Sequence, residues 1–188
     1  MPRGARPAFT LIELVMVMVM IGLMVAISAP RIDIMGYRAN TAIQVVGTTV
    51  LAAQRQALTQ QHNVIVRFDT ANRRLRVHQD RDNDGAVDPG EQLRAVPLGE
   101  SIVFGLGSAP ARGSLTTAIT FTLTSNGDPA VTFHRDGSAS EAGGFYMTTT
   151  RAIAGGDKPE HSRLVVVERA TGRSASYRYL GGEWRKVY

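Results

Sequence analysis

The chain has 188 residues, 44% hydrophobic and 20% charged, with a formal charge of +5 and no cysteine. That composition excludes disulfides, zinc–thiolate sites and a catalytic thiol, and the length leaves room for one domain beside a single membrane helix. The positive surplus sits at the end, where His161–Tyr188 holds six Lys/Arg against Glu168 and Glu183, or +4.

Residues 1–8, MPRGARPA, carry Arg3 and Arg6 and no acid, which predicts a cytoplasmic N-terminus with everything after Pro30 on the far side. The run Phe9–Ala29 is apolar except for Glu13. At ~1.5 Å per helical residue it spans about 31 Å, enough to cross a hydrocarbon core. A carboxylate within such a run costs roughly 2.5–3.5 kcal/mol near the bilayer centre, so Glu13 calls for a partner from outside the helix. A conventional secretory signal, cut after Ala26 and Ser28, competes with this reading, but it has no use for an embedded carboxylate. A proton relay is disfavoured because one helix cannot build a path.

Residues 31–62 continue a helical pattern. Ile43, Val46, Val50, Ala53 and Ala57 recur at three- and four-residue steps between polar Asn40, Gln44, Thr48, Gln54 and Arg55. A β-rich domain follows over 63–188, with strands expected at Asn63–Asp69, Arg73–Gln79, Gln92–Val96, Ser101–Leu106, Ala118–Leu123, Ala130–His134, Phe145–Thr150, Arg163–Arg169 and Ser174–Leu180. Turn residues punctuate them, among them Ser125-Asn126-Gly127-Asp128, Asp136-Gly137 and Gly181-Gly182. One long helix and then many strands is an α+β arrangement, with an antiparallel sheet packed on the outer half of the helix.

Between the second and third of these strands lies DRDNDGAVDPGE. It matches the calcium-loop pattern position by position: Asp80, Asp82 and Asp84 at 1, 3 and 5, Gly85 at the bend, the Ala86 carbonyl, Asp88 at 9 and Glu91 at 12. Alternate carboxylates on a tightly turning chain can surround one hard cation, although strands flank this loop where an EF-hand has helices. The plainer reading is an acidic strand connection whose Asp and Asn side chains cap turn backbone. No cofactor is called for beyond this candidate Ca2+.

The basic tail mixes Arg163, Arg169, Arg173, Arg178, Arg185 and Lys186 with Tyr177, Tyr179 and Trp184, a composition able to meet phosphates and stack on bases. Alternation along Ser174–Tyr179 equally suits a half-buried strand. Enzymatic signals are missing: His62, His78, His134 and His161 are scattered, no HExxH or GxSxG occurs, and each His is expected to be a surface or strand residue.

The string Ala8, Phe9, Thr10, Leu11, Ile12, Glu13 resembles the class III signal of type IV pilins and type II secretion pseudopilins. The resemblance implies a prepilin peptidase that cuts between Ala8 and Phe9 and methylates the Phe9 amine. It implies too that the mature amine of one subunit neutralises Glu13 of its neighbour in a filament of pilins or pseudopilins at the inner membrane. Ala8 departs from the family's usual Gly before the cut. The helix-then-strands order, FHRDGSA and ERATGRSASYRY resemble the GspH/FimT group in particular. That implies a non-enzymatic minor pseudopilin of a type II secretion system, or alternatively a FimT-like minor pilin of a type IV pilus serving adhesion or DNA uptake. For DNA the family's GRxR motif maps onto Gly172-Arg173-Ser174-Ala175, without the second arginine, leaving Arg173 and Arg178 as the candidate contacts.

Overall fold

The computed structural model describes residues 9–28, 33–124 and 127–187; Arg3, Arg6, Ala8, Pro30 and the Ser125-Asn126 turn lie outside the described residues. The chain divides after Ile34 into two compact units.

The first unit holds helix α1, Leu11–Ser28. Every large apolar side chain from Leu11 to Ile27 is exposed, and a helix hydrophobic on all faces needs an apolar surrounding. Its 18 residues extend about 27 Å. No helix among the described residues is long and apolar enough to cross a membrane. The sequence run is longer than α1 because Phe9 and Thr10 precede the helix and Ala29 falls outside the described residues.

The second unit opens with α2, Ile34–Gln60, which buries Ala39, Ala42, Ile43, Val46, Val50, Ala53 and Ala57 along the expected stripe. Alanines on this face let the backbone approach the strands closely. The helix stops at Gln61, whose φ of 59° is left-handed and whose N–H still reaches the Ala57 carbonyl at 3.1 Å. Asn40, Gln44, Thr48 and Arg55 are exposed as expected, but Gln54 is buried. Its side-chain amide Nε2 donates to the Thr171 carbonyl at 2.6 Å, so a polar position on the helix serves as a clamp on a β-turn.

A hairpin follows, β1 (Asn63–Asp69) against β2 (Arg74–Asp80), in register from Asn63↔Asp80 to Asp69↔Arg74. Asp69 holds its turn by accepting from the Asn72 backbone at 3.0 Å and from Arg74 Nε at 2.8 Å. β3 (Leu93–Pro97) adds to β2, and β5 (Ala130–Phe133) adds to β1. The other strands are β4 (Ile102–Phe104), β6 (Gly143–Thr149), β7 (Arg163–Val167), β8 (Ser174–Leu180) and β9 (Glu183–Lys186). Instead of one sheet there are two, ordered β3-β2-β1-β5 and β4-β6-β7-β8-β9, with antiparallel pairing throughout. The short β9 and the helix α3 (Thr150–Ile153) were not legible as elements in the sequence.

Ala118–Leu123, expected as a strand, forms only isolated bridges at Ile119↔Phe145 and Leu123↔Pro129. Phe121 turns into the core over Gly143, where a Cβ would lie 2.7 Å from its ring, and Thr120 spends its backbone and hydroxyl on Gly144. Those contacts replace the alternating ladder. The core joins the α2 stripe to Val64, Val66, Phe68 and Leu75 of one sheet and Phe145, Met147, Val165 and Val167 of the other. Phe68 lies 5.3 Å from Phe121 and 4.7 Å from Phe145, and full burial of each such ring stabilises by about 1.5–3 kcal/mol.

Candidate functional site

The acidic loop leaves β2 at Asp80 and folds back over the outer face of the first sheet, opposite α2. Strand alternation puts Ile65, Arg67 and His78 on that face, because Val64, Val66 and Phe68 point into the core. Three anchors pin the loop: Arg67 Nη2 donates to the Gly85 carbonyl at 2.8 Å, the Asn63 N–H donates to Asn83 Oδ1 at 2.9 Å, and His78 Nε2 meets Glu91 Oε2 at 2.6 Å. His78 is fully buried, and the Glu91 side chain is 6% exposed. The left-handed bend at Gly85, φ 80°, is what requires glycine there, since a Cβ would meet nothing within 4 Å.

Asp80, Asp82 and Asp84 each place a carboxylate oxygen within 4.8 Å of the others, and these three residues could hold a hard cation. Asp80 Oδ1 accepts from the Asp84 N–H at 3.1 Å and Oδ2 from the Gly85 N–H at 3.1 Å, so loop backbone and ligand would share its oxygens. Burial pushes the Asp80 carboxyl above its ordinary range, and repulsion from Asp84, then desolvation, then repulsion from Asp82 and Glu91 push Asp88 up. Glu91 behaves oppositely. Hydrogen bonds from the Asp88 N–H, His78 and the Arg81 N–H lower it to about 2. The structure thus brings the first three loop ligands together and directs Glu91 to His78.

Glu13 lies in the first turn of α1, where its Oε2 accepts from the Thr10 N–H at 3.3 Å and the Thr10 hydroxyl at 3.2 Å, while the Glu13 N–H donates to Thr10 Oγ1. This reciprocal capping box was readable as Thr-x-x-Glu and passed over in the sequence. It gives the carboxylate neutral local donors and, among the described residues, no cation to balance its charge. Phe9 is 83% exposed just ahead of it.

Arg173 lies in the β7–β8 turn and Arg178 near the other end of β8, five residues away, or roughly 17 Å along an extended strand. Both are exposed. Cross-strand register sets Arg163, Arg178 and Arg185 side by side on β7, β8 and β9. Tyr177, Tyr179 and Trp184 occupy the opposite face, where Trp184 Nε1 donates to the Pro110 carbonyl at 2.9 Å and Arg112 sits 4.1 Å over the Tyr177 ring. Arginines and aromatics that looked interleaved along the chain are separated by the sheet.

The expectation that each His is a surface or strand residue fails for two. His62 is 9% exposed in the bend between α2 and β1, and His161 is 3% exposed in the 3-10 turn Pro159–His161, whereas His78 is a strand residue as expected, though wholly buried. His161 Nδ1 meets Asp157 Oδ1 at 2.7 Å, and Asp157 Oδ2 accepts from Thr149. Burial works against ionisation of Asp157, but hydrogen bonds from Thr149, His161 and the Lys158 N–H outweigh it and lower the carboxyl. This group braces the segment after β6.

The family description "Type II transport protein GspH" matches residues 42–171. Among solved structures the chain is similar to the minor pseudopilin EpsH from the type 2 secretion system of Vibrio cholerae, at 15% identity and a TM-score of 0.50, covering 75% of this chain and 97% of that one. A second EpsH structure matches at 16% identity, with a TM-score of 0.47, covering 74% and 92%. No curated protein matches. At such identity the structural likeness speaks for the fold alone, whereas the family match spans most of the α2 and β-rich region described above: this chain belongs to the GspH family of type II transport proteins.

Proposed function

We propose that the chain is a minor pseudopilin, a structural subunit and not an enzyme, stored in the inner membrane by the Phe9–Ala29 segment with its β-rich unit in the periplasm. A prepilin peptidase cuts between Ala8 and Phe9 and methylates Phe9. The mature subunit then enters a pseudopilus with other pseudopilins and serves type II secretion. What carries the reading is one conjunction: a GspH match over residues 42–171 behind a basic leader, an apolar helix and Glu13 in the order a prepilin needs. Glu13 is the assembly residue, since its Thr10 donors are uncharged and an amine from a neighbour would balance its charge in a low-dielectric bundle. On this reading a divalent ion at Asp80, Asp82 and Asp84 would act only to lock the β2–β3 connection. Mass spectrometry of protein made in a host with its prepilin peptidase tests the processing. The expected mature chain starts at N-methyl-Phe9, and an intact Met1 or a start after Ser28 contradicts the proposal.

A further inference from the structure

Arg67 is a buried cation without a counter-ion. It lies near the middle of β1 on the outer face of the first sheet and is 8% exposed. Its Nη2 donates to the Gly85 carbonyl at 2.8 Å, a neutral acceptor, while the buried Nε has no hydrogen-bond partner. The guanidinium forms no ion pair among the described residues. Cross-strand register sets Arg67 directly opposite Arg76 of β2, which is half-buried and likewise has no hydrogen bond or ion pair among the described residues. Like charges directly opposite destabilise a sheet, and burial without a partner adds to the cost. On its other flank Arg67 pairs with Ala130 of β5, whose small side chain leaves room beside the guanidinium.

That room belongs to a pocket of about 420 Å³. Ile65, Ala130 and Leu123 give it an apolar side, Thr132 and Ser140 line it with hydroxyls, and Arg67 supplies its positive charge. Ser140 Oγ accepts from the Thr132 N–H at 3.2 Å and keeps its own proton for an acceptor. Glu141, also on the wall, faces Thr122 instead of Arg67: Oε1 accepts from the Thr122 N–H at 2.7 Å and Oε2 from the Thr122 hydroxyl at 3.0 Å. A guanidinium takes carboxylates and phosphates with the same planar fork. Here the acidic loop, reaching the pocket at Gly85, and Glu141 on the opposite wall penalise a dianion, so a single negative charge fits better. The apolar side suits a hydrocarbon stem next to that charge.

We propose that this pocket is a binding site for an organic monocarboxylate with an apolar stem, held by the Arg67 guanidinium and the Ser140 hydroxyl. Two sources carry that chemistry, a free acid and the C-terminal carboxylate of a polypeptide. The site stands on β1 and β5 and does not depend on leader processing, on Glu13 or on a cation at the aspartate cluster.

Titration calorimetry on the full chain in detergent tests it, with N-acetyl-leucine and a pentapeptide ending in leucine as probes, each compared with its C-terminal amide. The acids should bind at least about tenfold more tightly than the amides, as a charge-assisted hydrogen bond requires. A peptide acid that binds about tenfold more tightly than N-acetyl-leucine assigns the site to a polypeptide C-terminus, and equal affinities assign it to a free acid. Arg67→Gln, which keeps an amide donor beside the Gly85 carbonyl, should weaken binding at least about tenfold. Leu123→Glu, at a position 64% exposed on the rim, should weaken it about threefold or more by repulsion. That variant leaves Arg67 in place, so it decides the matter even if Arg67→Gln folds badly. The proposal is overturned by the absence of binding heat with either acid at about 10 mM, by amides that bind as well as the acids, or by tighter binding of inorganic phosphate. A folded Arg67→Gln or Leu123→Glu chain that binds the acids like the parent overturns it too.

Discussion

At Glu13 the local structure and the proposed assembly role make separable demands. The capping box with Thr10 holds the first turn of α1, so Glu13→Ala should cost the helix about 0.5–2 kcal/mol of local capping while removing the charge that hinders insertion. Membrane fractionation of the variant is therefore expected to look normal, and its recovery in sheared or cross-linked filaments to fall sharply. Wild-type recovery would contradict the assembly role, because Thr10 alone cannot supply a charged partner. Glu91 makes a second residue-scale case. Its folded-state value of about 2 is depressed, so it contributes stability that is present above its ordinary value near 4.5 and lost as pH falls towards 2. Asp80 and Asp88 are raised, and for them protonation on acidification relieves the folded state. Metal-free protein should hold or gain melting temperature just above the ordinary carboxylate range and lose it steeply below pH 4.5; in Glu91→Gln the acid limb should flatten, as thermal unfolding in a pH series would read.

Among the elements, α2 and the β1–β2 hairpin were the most legible, because their cues are local: a three- and four-residue stripe for one, alternation around a short polar turn for the other. Gln54 was misread for the same reason. The pattern shows a polar residue, but only the fold shows the Thr171 carbonyl that takes its amide. Ala118–Leu123 failed where a tertiary demand, Phe121 seated over Gly143, overrode strand periodicity. β9 was hidden between Gly181-Gly182 and the terminus, too short to display a period. Register was invisible as well, and with it the separation of Arg178 from the aromatics. The β7–β8 turn gives this scale its own prediction. Gly172 has φ 60°, and a Cβ there would stand 2.2 Å from the Gly137 carbonyl and 3.3 Å from Gln54. Backbone cannot retreat as a side-chain tip can, so Gly172→Ala should destabilise by roughly 2–4 kcal/mol, whereas Gly182→Ala, with open space around it, should cost only its unfavourable φ. Denaturant midpoints of the two variants would separate them.

Over the whole molecule, the calcium pattern was legible as spacing, while the partition of its carboxylates was not. Asp80, Asp82 and Asp84 converge; Glu91 is taken by the buried His78, a residue outside the twelve-residue pattern. A cation that binds only the folded chain stabilises it by mass action. At a dissociation constant near 10⁻⁴ M, in the range of extracellular modules, 1 mM calcium would add about 1.4 kcal/mol, a rise of roughly 3–6 °C for a chain of this size. Protons compete for the same oxygens, and because Asp80 and Asp88 are raised, the gain should shrink on acidification earlier than unperturbed carboxylates would allow. Asp82→Ala, exposed and remote from the core, should abolish the gain while leaving the metal-free melting temperature within a degree or two. Glu91→Gln separates two designs: a site that recruits Glu91 away from His78 loses its calcium response, and a site built on the three aspartates keeps it. Calorimetry on the full chain in detergent, with calcium and with chelator, reads the parent and both variants on one scale, and identical melting of the parent in the two buffers would leave the loop as a strand connection held by Arg67, Asn63 and His78 alone.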